Sequence, residues 1–444
     1  MGDPALDLLA SLVSINTTND PARGVRPGRD AVDLVKDVLT GWGVEANVLE
    51  SGGYYSVYGS VGEGEPSVMF MAHLDVVPVK VDEWTHEPFK LTVVGDKAFG
   101  RGTVDDKGNV VGVMLALKEL MRRKLKGRVL YAFTTDEEVG GVHGAKAVAE
   151  KLAKENSLPK YLINGDGLGM SPIVRRRKIF KAILEAPQGK VLIAGTLRRR
   201  SFELRTPVVP TRHSAWFVPG VDTHPLIAAS YFMLSNPEFQ AARVDGVFVK
   251  TNVLPTTVSL EYVEPSGGGE KVEVDEGLTA LLRLLMPLSR AAVPVRLYSD
   301  NGVSITPNMY SFRDGKHVVE VDIRAMTEDV NVIKEALVRT ASEIAPEVRV
   351  DVVDEGGGGY LYVPPTDELV QSAVRVLNNL GLNAYTIEAP GASDSRHFTP
   401  LGVKCIDFGP KGGNNHGPDE WVDLNTFRLL HKFYANIALE LIGR

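Results

Sequence analysis

Carboxylates and imidazoles recur in this chain at the ends of short apolar runs. His73 and Asp75 close SVMFMAH(L)D, Asp105 and Asp106 sit in FGRGTVDDKGN, and Asp136, Glu137 and Glu138 end RVLYAFTTDEE. Asp166 lies at the end of KYLINGDG, and His416 stands in FGPKGGNNHGPDE. One acid at a strand end is ordinary. Several such ends carrying only carboxylates and imidazoles are not what core packing selects. Imidazoles with carboxylates and no thiolate suit a catalytic site for zinc, manganese or cobalt rather than a structural one. A carboxylate shared by two ions about 3.5–4 Å apart would activate water and clamp a developing oxyanion. Asp75, just beyond His73, has the reach to bond the second ring nitrogen and fix the tautomer. Adjacent Glu137 and Glu138 allow one to bind an ion while the other handles the proton. Competing readings attach to several positions. Asp106 also reads as a cap for the following helix. Ser393 in GASDS sits where a nucleophile elbow would place serine, but Ser395 stands where that elbow needs glycine. His86, His143, His224, His317 and His431 lack such company and read as ordinary histidines.

Groups so scattered in sequence need a fold to gather them, and open α/β sheets collect catalytic groups beyond the carboxyl ends of their strands. The first third alternates accordingly. Leu6, Leu9, Leu12 and Val13 recur at helical spacing after Asp3 and Pro4. Residues 67–77 open as the continuous apolar run of a strand buried on both faces. Residues 109–124 read as a helix, with strands at 128–138 and 160–167. The pattern returns late, with a helix at 366–380, a strand at 403–409 and a helix from 424. This predicts an α/β fold with a doubly wound, mostly parallel sheet. The middle differs: HVVEVDIRA and VRVDVVDE alternate, and PSGGGE and EGGGGY punctuate. It reads as an α+β lid domain (178–357) inserted into a catalytic domain made of 1–177 and 358–444. No internal repeat is visible.

Bulk properties narrow the classes. Hydrophobic residues at 44% and charged residues at 24% allow an ordinary globular core. A net charge of -7 argues against a nucleic-acid partner. The basic runs Arg122–Lys124, Arg175–Lys178 and Arg198–Arg200 read as solvated faces. The single cysteine, Cys405, excludes an intrachain disulfide and a cysteine-built zinc site, and it fits a reducing compartment. The N-terminal residues lack the marks of a signal peptide, and no apolar run approaches the roughly 18–20 residues of a membrane span. A cytoplasmic protein without a membrane partner is expected.

In this order along the chain, MAHLDVVP, FGRGTVDDKG, TTDEEVGG, INGDG, GASDSRHF and NNHGPDEWV resemble the M20 family of metallopeptidases. That family includes dipeptidases, carboxypeptidases, aminoacylases and the acetylornithine and succinyl-diaminopimelate deacylases. The motifs are weak singly and specific in combination. The resemblance implies two divalent metal ions, with zinc expected first and manganese or cobalt as alternatives. His73 and Asp166 would bind one ion, Glu138 and His416 the other, and Asp105 would bridge them. Glu137 would be the general base that passes the proton to the leaving amine, and Asp75 would orient His73. A cis peptide between Asp105 and Asp106 is also implied. RHSAWFVPGVDTHPL resembles the family's lid motif, whose histidine serves the reacting carbonyl oxygen and maps onto His213. Asn308 and Arg324 resemble the pair that holds the substrate carboxylate, with Asn252 a rival to Asn308 and Arg396 adding to the same pocket. A homodimer through the lid domain is implied, and whether His213 serves its own site or a partner's stays open.

Three functions follow as expectations: a dipeptidase or exopeptidase acting on small substrates with a free carboxylate, an N-acyl amino acid deacylase, and a non-catalytic relative that binds small acids. The third is disfavoured because no ligand and no base is missing. Between the first two, Asp166 favours the peptidase: in the family, aspartate there accompanies aminopeptidases and dipeptidases, and glutamate accompanies deacylases and carboxypeptidases. The TVDDKG and DEWTHEPF strings also resemble the dipeptidase branch.

Overall fold

The first helix, Pro4–Ser14, begins where capping chemistry requires: Asp3 accepts the Ala5 N–H at 3.1 Å, and proline occupies the first turn. A computed structural model describes residues 3–209, 211–268, 270–295 and 302–442, so Gly269 of the PSGGGE punctuation lies outside the described residues. The chain divides into two compact units, Met1–Arg176 with Leu361–Arg444, and Arg177–Tyr360.

The main sheet of the first unit runs in the order Asn47–Ser51, Tyr54–Val61, Arg128–Thr134, Pro66–His73, Tyr161–Asn164, Lys404–Asp407, Ile173–Arg176, Leu361–Tyr362. Its centre, from Arg128–Thr134 to Lys404–Asp407, is parallel. Antiparallel strands flank that centre on both sides. The apolar run of Pro66–His73 is explained by its two covered faces. Met69 and Met71 enter one hydrophobic cluster with Ala145 and Val148, while Phe70 and Ala72 enter another with Leu9, Val113 and Leu430. Helices Lys107–Leu120 and Leu424–Ile442 pack closely in the second cluster. A Cβ on Gly112 would lie 2.6 Å from that of Leu430, so the approach requires glycine. In the sheet, His73 pairs with Thr134, and Asp407 with Asn164, which brings the carboxyl ends of the central strands side by side. A smaller antiparallel sheet pairs Trp421 with Phe99, drawing the segment after Phe99 towards the segment before Trp421.

The second unit holds two four-stranded antiparallel sheets that share one hydrophobic core. Both follow the same path. The strand Lys178–Pro187, helix Glu276–Leu288, strands Val303–Arg313 and Lys316–Ala325, helix Val330–Ile344 and strand Arg349–Val353 form one sheet in the order second, third, first, fourth. The strand Lys190–Glu203, helix Pro225–Ser235 and strands Gln240–Gly246, Thr257–Pro265 and Lys271–Asp275 form the other in the same order, without the second helix. Each second strand carries one register shift, between Pro307 and Met309 and between Ala241 and Arg243. A repeat that the sequence hides is thus present in the connectivity, one copy inserted after the first strand of the other.

One sequence expectation is corrected here. Arg175, Arg176 and Lys178 do not lie on a solvated face. They are buried, and each meets a carboxylate, on Glu388, Asp407 and Asp354 respectively. Arg122–Lys124 and Arg198–Arg200 are exposed.

Candidate metal centre

Asp105 sits between two imidazoles. Its Oδ1 lies 3.0 Å from His73 Nε2 and its Oδ2 3.2 Å from His416 Nε2, and His416 Nε2 is also 3.2 Å from Glu138 Oε2. One ligand atom from each of His73, Asp105 and Glu138 falls within 4.8 Å of the others. A tetrahedral ion with bonds of about 2.0–2.2 Å separates its ligand atoms by about 3.3–3.6 Å, close to the 3.0 and 3.2 Å at which Asp105 and Glu138 face the imidazoles. The donor set, imidazole and carboxylate without thiolate, fits such an ion.

The surroundings prepare each group. His73 Nδ1 lies 3.0 Å from the Asp75 carbonyl oxygen and 3.5 Å from its carboxylate. The ring therefore gives its Nδ1 proton to the carbonyl and turns Nε2 towards Asp105. The buried carboxylate of Asp75 accepts the backbone N–H groups of Glu137 and Glu138, each at 3.2 Å, and the Asn19 amide at 2.9 Å. It holds the turn carrying both glutamates more directly than it holds the ring. The Asp105–Asp106 peptide is cis. Asp106 gives no side-chain cap to the helix; its carboxylate accepts the His73 N–H at 3.1 Å and the Asn109 amide at 2.7 Å.

Electrostatics sort these groups. Burial opposes a charged His73 ring, yet Asp105 and Asp75 hold its pKa well above the usual value. Glu138, and then Asp105, do the same for His416. Burial works against ionisation of Asp105, but the two imidazoles keep it well below the carboxylate range. Glu137 keeps part of its surface open, but the protein packed around it pushes its pKa up to about 7. Glu138 and Asp75 add repulsion there, against the pull of His73 and Arg396. Burial lifts Asp106 to about 8.

Asp166 lies outside the close group of His73, Asp105 and Glu138. Its carboxylate is 3.7 Å from Arg176 Nη2, and its carbonyl accepts from the same guanidinium. Burial raises its pKa well above normal, with Glu137, Asp105 and Asp407 adding repulsion that Arg176 counters. Arg176 also pairs with Asp407, which accepts from Ser395 Oγ, and Arg176 donates to the Gly391 carbonyl at 3.2 Å. Arg396 is buried and donates to the Gly140 carbonyl at 2.6 Å. Buried Asp394 has neither oxygen hydrogen-bonded among the described residues, and burial, followed by Glu137 and Asp136, raises its pKa well above normal. Sequence reasoning placed Arg176 on a solvated face and passed over Asp407, Asp394 and Asn19. In GASDS it weighed the serine, where the aspartate was the chemically telling residue.

The remaining expected residues belong to the second unit. His213 Nδ1 accepts the Ala215 N–H at 3.1 Å, so a neutral ring carries its proton on Nε2, and the Asn252 amide 3.4 Å away meets that proton with its oxygen, an atom otherwise without a partner among the described residues. Arg324 is buried and gives its Nε edge to both oxygens of Asp322, at 3.2 and 3.0 Å. Asp322 also accepts from Ser214 Oγ. Asn308 is fully buried and bonds His224 at 2.9 Å, Thr306 at 3.2 Å and the Thr251 carbonyl.

Known proteins match the chain as a whole and in part. The succinyl-diaminopimelate desuccinylase of Orientia tsutsugamushi (strain Ikeda) is 30% identical over 167 residues, 36% of this chain and 42% of that protein. That match thus spans less than half of the relative's length. The protein of the same name from Hydrogenovibrio crunogenus is 22% identical over 92% of this chain and 93% of its own. The aminoacylhistidine dipeptidase structure from Vibrio alginolyticus shares the fold with a TM-score of 0.70 at 15% identity, over 98% of this chain and 96% of that one. Residues 69–440 match the family model described as Peptidase family M20/M25/M40, a stretch that includes His73, Asp105, the two glutamates, Asp166 and His416. The chain belongs to peptidase family M20/M25/M40.

Proposed function

We propose that this protein hydrolyses an amide bond close to a free carboxylate in small peptides, as a dipeptidase or exopeptidase. Two divalent cations would be held by His73, Asp105, Glu138, Asp166 and His416. The observation that supports this most is Asp105, whose two oxygens face two different imidazoles at 3.0 and 3.2 Å. When bound, the cations supply Lewis-acid polarisation of the carbonyl and acidify water.

The chain's own groups supply the rest. Glu137, with a pKa near 7, accepts the proton of the attacking water and returns it to the leaving amine. Asp75 keeps both glutamates in place through their N–H groups. His213 donates from Nε2 to the carbonyl oxygen as negative charge develops there. Arg324 offers its Nη edge as a planar fork for the substrate carboxylate, while Asp322 fixes the Nε edge. Asn252 joins this recognition more readily than Asn308, whose amide is spent inside the second unit. Arg396 is better explained as support for the Gly140 turn than as a contact to substrate.

Asp166 supports peptides over N-acyl amino acids, through the family tendency noted above. N-acyl amino acid deacylation is the second reading, supported by the two relatives named desuccinylases. Zinc is the proposed ion, on the imidazole and carboxylate donors. Pairing of two chains through the second unit is supported by Leu197, which is 49% exposed on the strand Lys190–Glu203. A cytoplasmic location is supported by the free, buried Cys405. Among the described residues, no helix is long and apolar enough to cross a membrane.

The test is metal-stripped protein reloaded with zinc, manganese or cobalt and offered dipeptides, N-acetyl and N-succinyl amino acids. Faster cleavage of dipeptides is expected. Preference for an N-acyl substrate selects the second reading, and no hydrolysis with any ion refutes both.

A further inference from the structure

Asp105 and His416 come from segments far apart in sequence, and neither lies in a helix or strand. Glu420 joins these segments. It follows His416 by one turn of chain and is 0% exposed. Its carboxylate is wrapped by the loop that carries Asp105. Oε1 accepts the N–H groups of Val104 and Asp105 at 3.0 and 3.1 Å, and Oε2 accepts from Arg101 at 2.6 Å. Its carbonyl accepts the Gly100 N–H at 2.9 Å. Arg101 is 2% exposed and lies 5.1 Å from the Trp84 ring. The preceding residue, Asp419, accepts the N–H groups of Thr85 and His86 at 2.9 and 3.1 Å.

The chain leading into these anchors takes left-handed turns: Asn414, His416 and Asp419 have φ values of +59°, +62° and +51°, a region uncommon for residues with a Cβ and entered most readily by asparagine, aspartate and histidine. His416 is itself 54% exposed, so packing alone does not fix its ring. Such a turn keeps its shape only if its neighbours determine it. A carboxylate buried for that purpose needs a paired cation, which Arg101 provides.

We propose that Glu420 and Arg101 are positioning residues that build the Asp105–His416 half of the centre before any ion arrives. Glu420 acts through the backbone of Asp105 and through its own short link to His416. A cation then meets donors already oriented and need not order two loops on binding. The purpose rests on the metal-hydrolase reading, while the holding itself rests on the hydrogen bonds above.

The experiment measures zinc affinity of metal-stripped full-length protein against a chromophoric chelator, and deuterium exchange over the 101–106 segment without metal. E420Q keeps the size and one acceptor oxygen but turns an amide N–H towards Arg101. Its zinc affinity should fall by about 10- to 100-fold, the usual cost of losing a partner of a metal ligand, and the segment should exchange faster. E420Q/R101M removes the opposing guanidinium and should recover most of both. E420A/R101M has the same net charge but no acceptor and should recover neither. Equal recovery by the two double variants would mean that only charge balance matters, and would overturn the proposal. Should a double variant not fold, E420Q alone decides, and unchanged affinity and exchange would overturn it. If wild type takes up no zinc, the hydrolase reading fails. Exchange then still decides whether Glu420 holds the loop, with an unaltered rate in E420Q counting against it.

Discussion

Replacing Glu137 by glutamine keeps the shape of the side chain and removes its capacity to accept a proton. The backbone should tolerate the change, because the turn is tied to Asp75 through the Glu137 and Glu138 N–H groups rather than through the Glu137 carboxylate. With a pKa of about 7, Glu137 is a base near neutrality, and its conjugate acid is strong enough to protonate a leaving amine. Groups in such roles contribute about 10²–10⁴ in rate, and the lower bound corresponds to about 2.7 kcal/mol of barrier. Turnover of a saturating dipeptide should therefore fall at least about 100-fold. Zinc content, measured by elemental analysis, should stay at the wild-type value. The pH profile gives a second readout. Wild-type turnover should fall on the acid side as Glu137 takes up its proton, and nearby cations favour the carboxylate, placing that limb at or below neutrality. The glutamine variant should lose the limb. Activity within tenfold of wild type, or an unchanged limb, would refute the assignment of the base.

Asp105→Ala should lower zinc content and activity together, whereas Asp106→Asn should retain zinc, because the Asp106 carboxylate is engaged by the His73 N–H and the Asn109 amide; elemental analysis showing the reverse would exchange the two roles. Wild type should strongly prefer a dipeptide acid over its C-terminal amide, and Arg324→Ala should lose that preference by slowing on the acid, about 10²- to 10³-fold in kcat/KM; equal cleavage of acid and amide by wild type would remove Arg324 from carboxylate recognition. His224 is buried and its pKa is lowered from 6.5 to about 4, so the folded chain binds fewer protons than the unfolded chain between those values. Stability should fall as pH drops from about 6.5 towards 4, by about 2 kcal/mol at pH 5. His224→Gln should remove that share of the acid dependence in urea unfolding, and an unaltered slope would contradict it.

The legible parts of this protein were those whose cause is local. The run SVMFMAH reads as a strand covered on both faces because alternate residues must enter two apolar clusters, and they do. Asp3 and Pro4 mark a helix start by capping alone. The group of His73, Asp105, Glu138 and His416 was legible because each member ends a recognisable element or motif. Partnerships at a distance were not legible. Arg175 meets Glu388, which is 213 positions later, so a run of cations that looked solvated is internal. The repeated connectivity of the second unit left no trace that sequence reading detected, because one copy lacks a helix and the strand faces carry different residues. Glu420 lay in a quoted motif, but a carboxylate that works by accepting backbone N–H groups carries no signature of its own.

The charges of the site argue for cations apart from any resemblance. Asp75, Asp106, Asp136, Asp394 and Asp407 are buried, and Asp105, Glu137, Glu138 and Asp166 crowd the same strand ends. Arg176, Arg396 and two imidazoles stand against them. A protein left to itself there answers by holding protons, as the raised values of Asp106, Asp136, Glu137, Asp166 and Asp394 express. Gathering so many repelling groups opposes stability, and strongly perturbed carboxylates in one place mark function. The same field separates the two glutamates of one turn. Glu138 faces His416 at 3.2 Å and has a partner for its charge. Glu137, pushed up by its surroundings to about 7, keeps its affinity for a proton. The proposed ligand and the proposed base thus differ in what each side chain faces, although the two residues are adjacent, identical and held by the same aspartate.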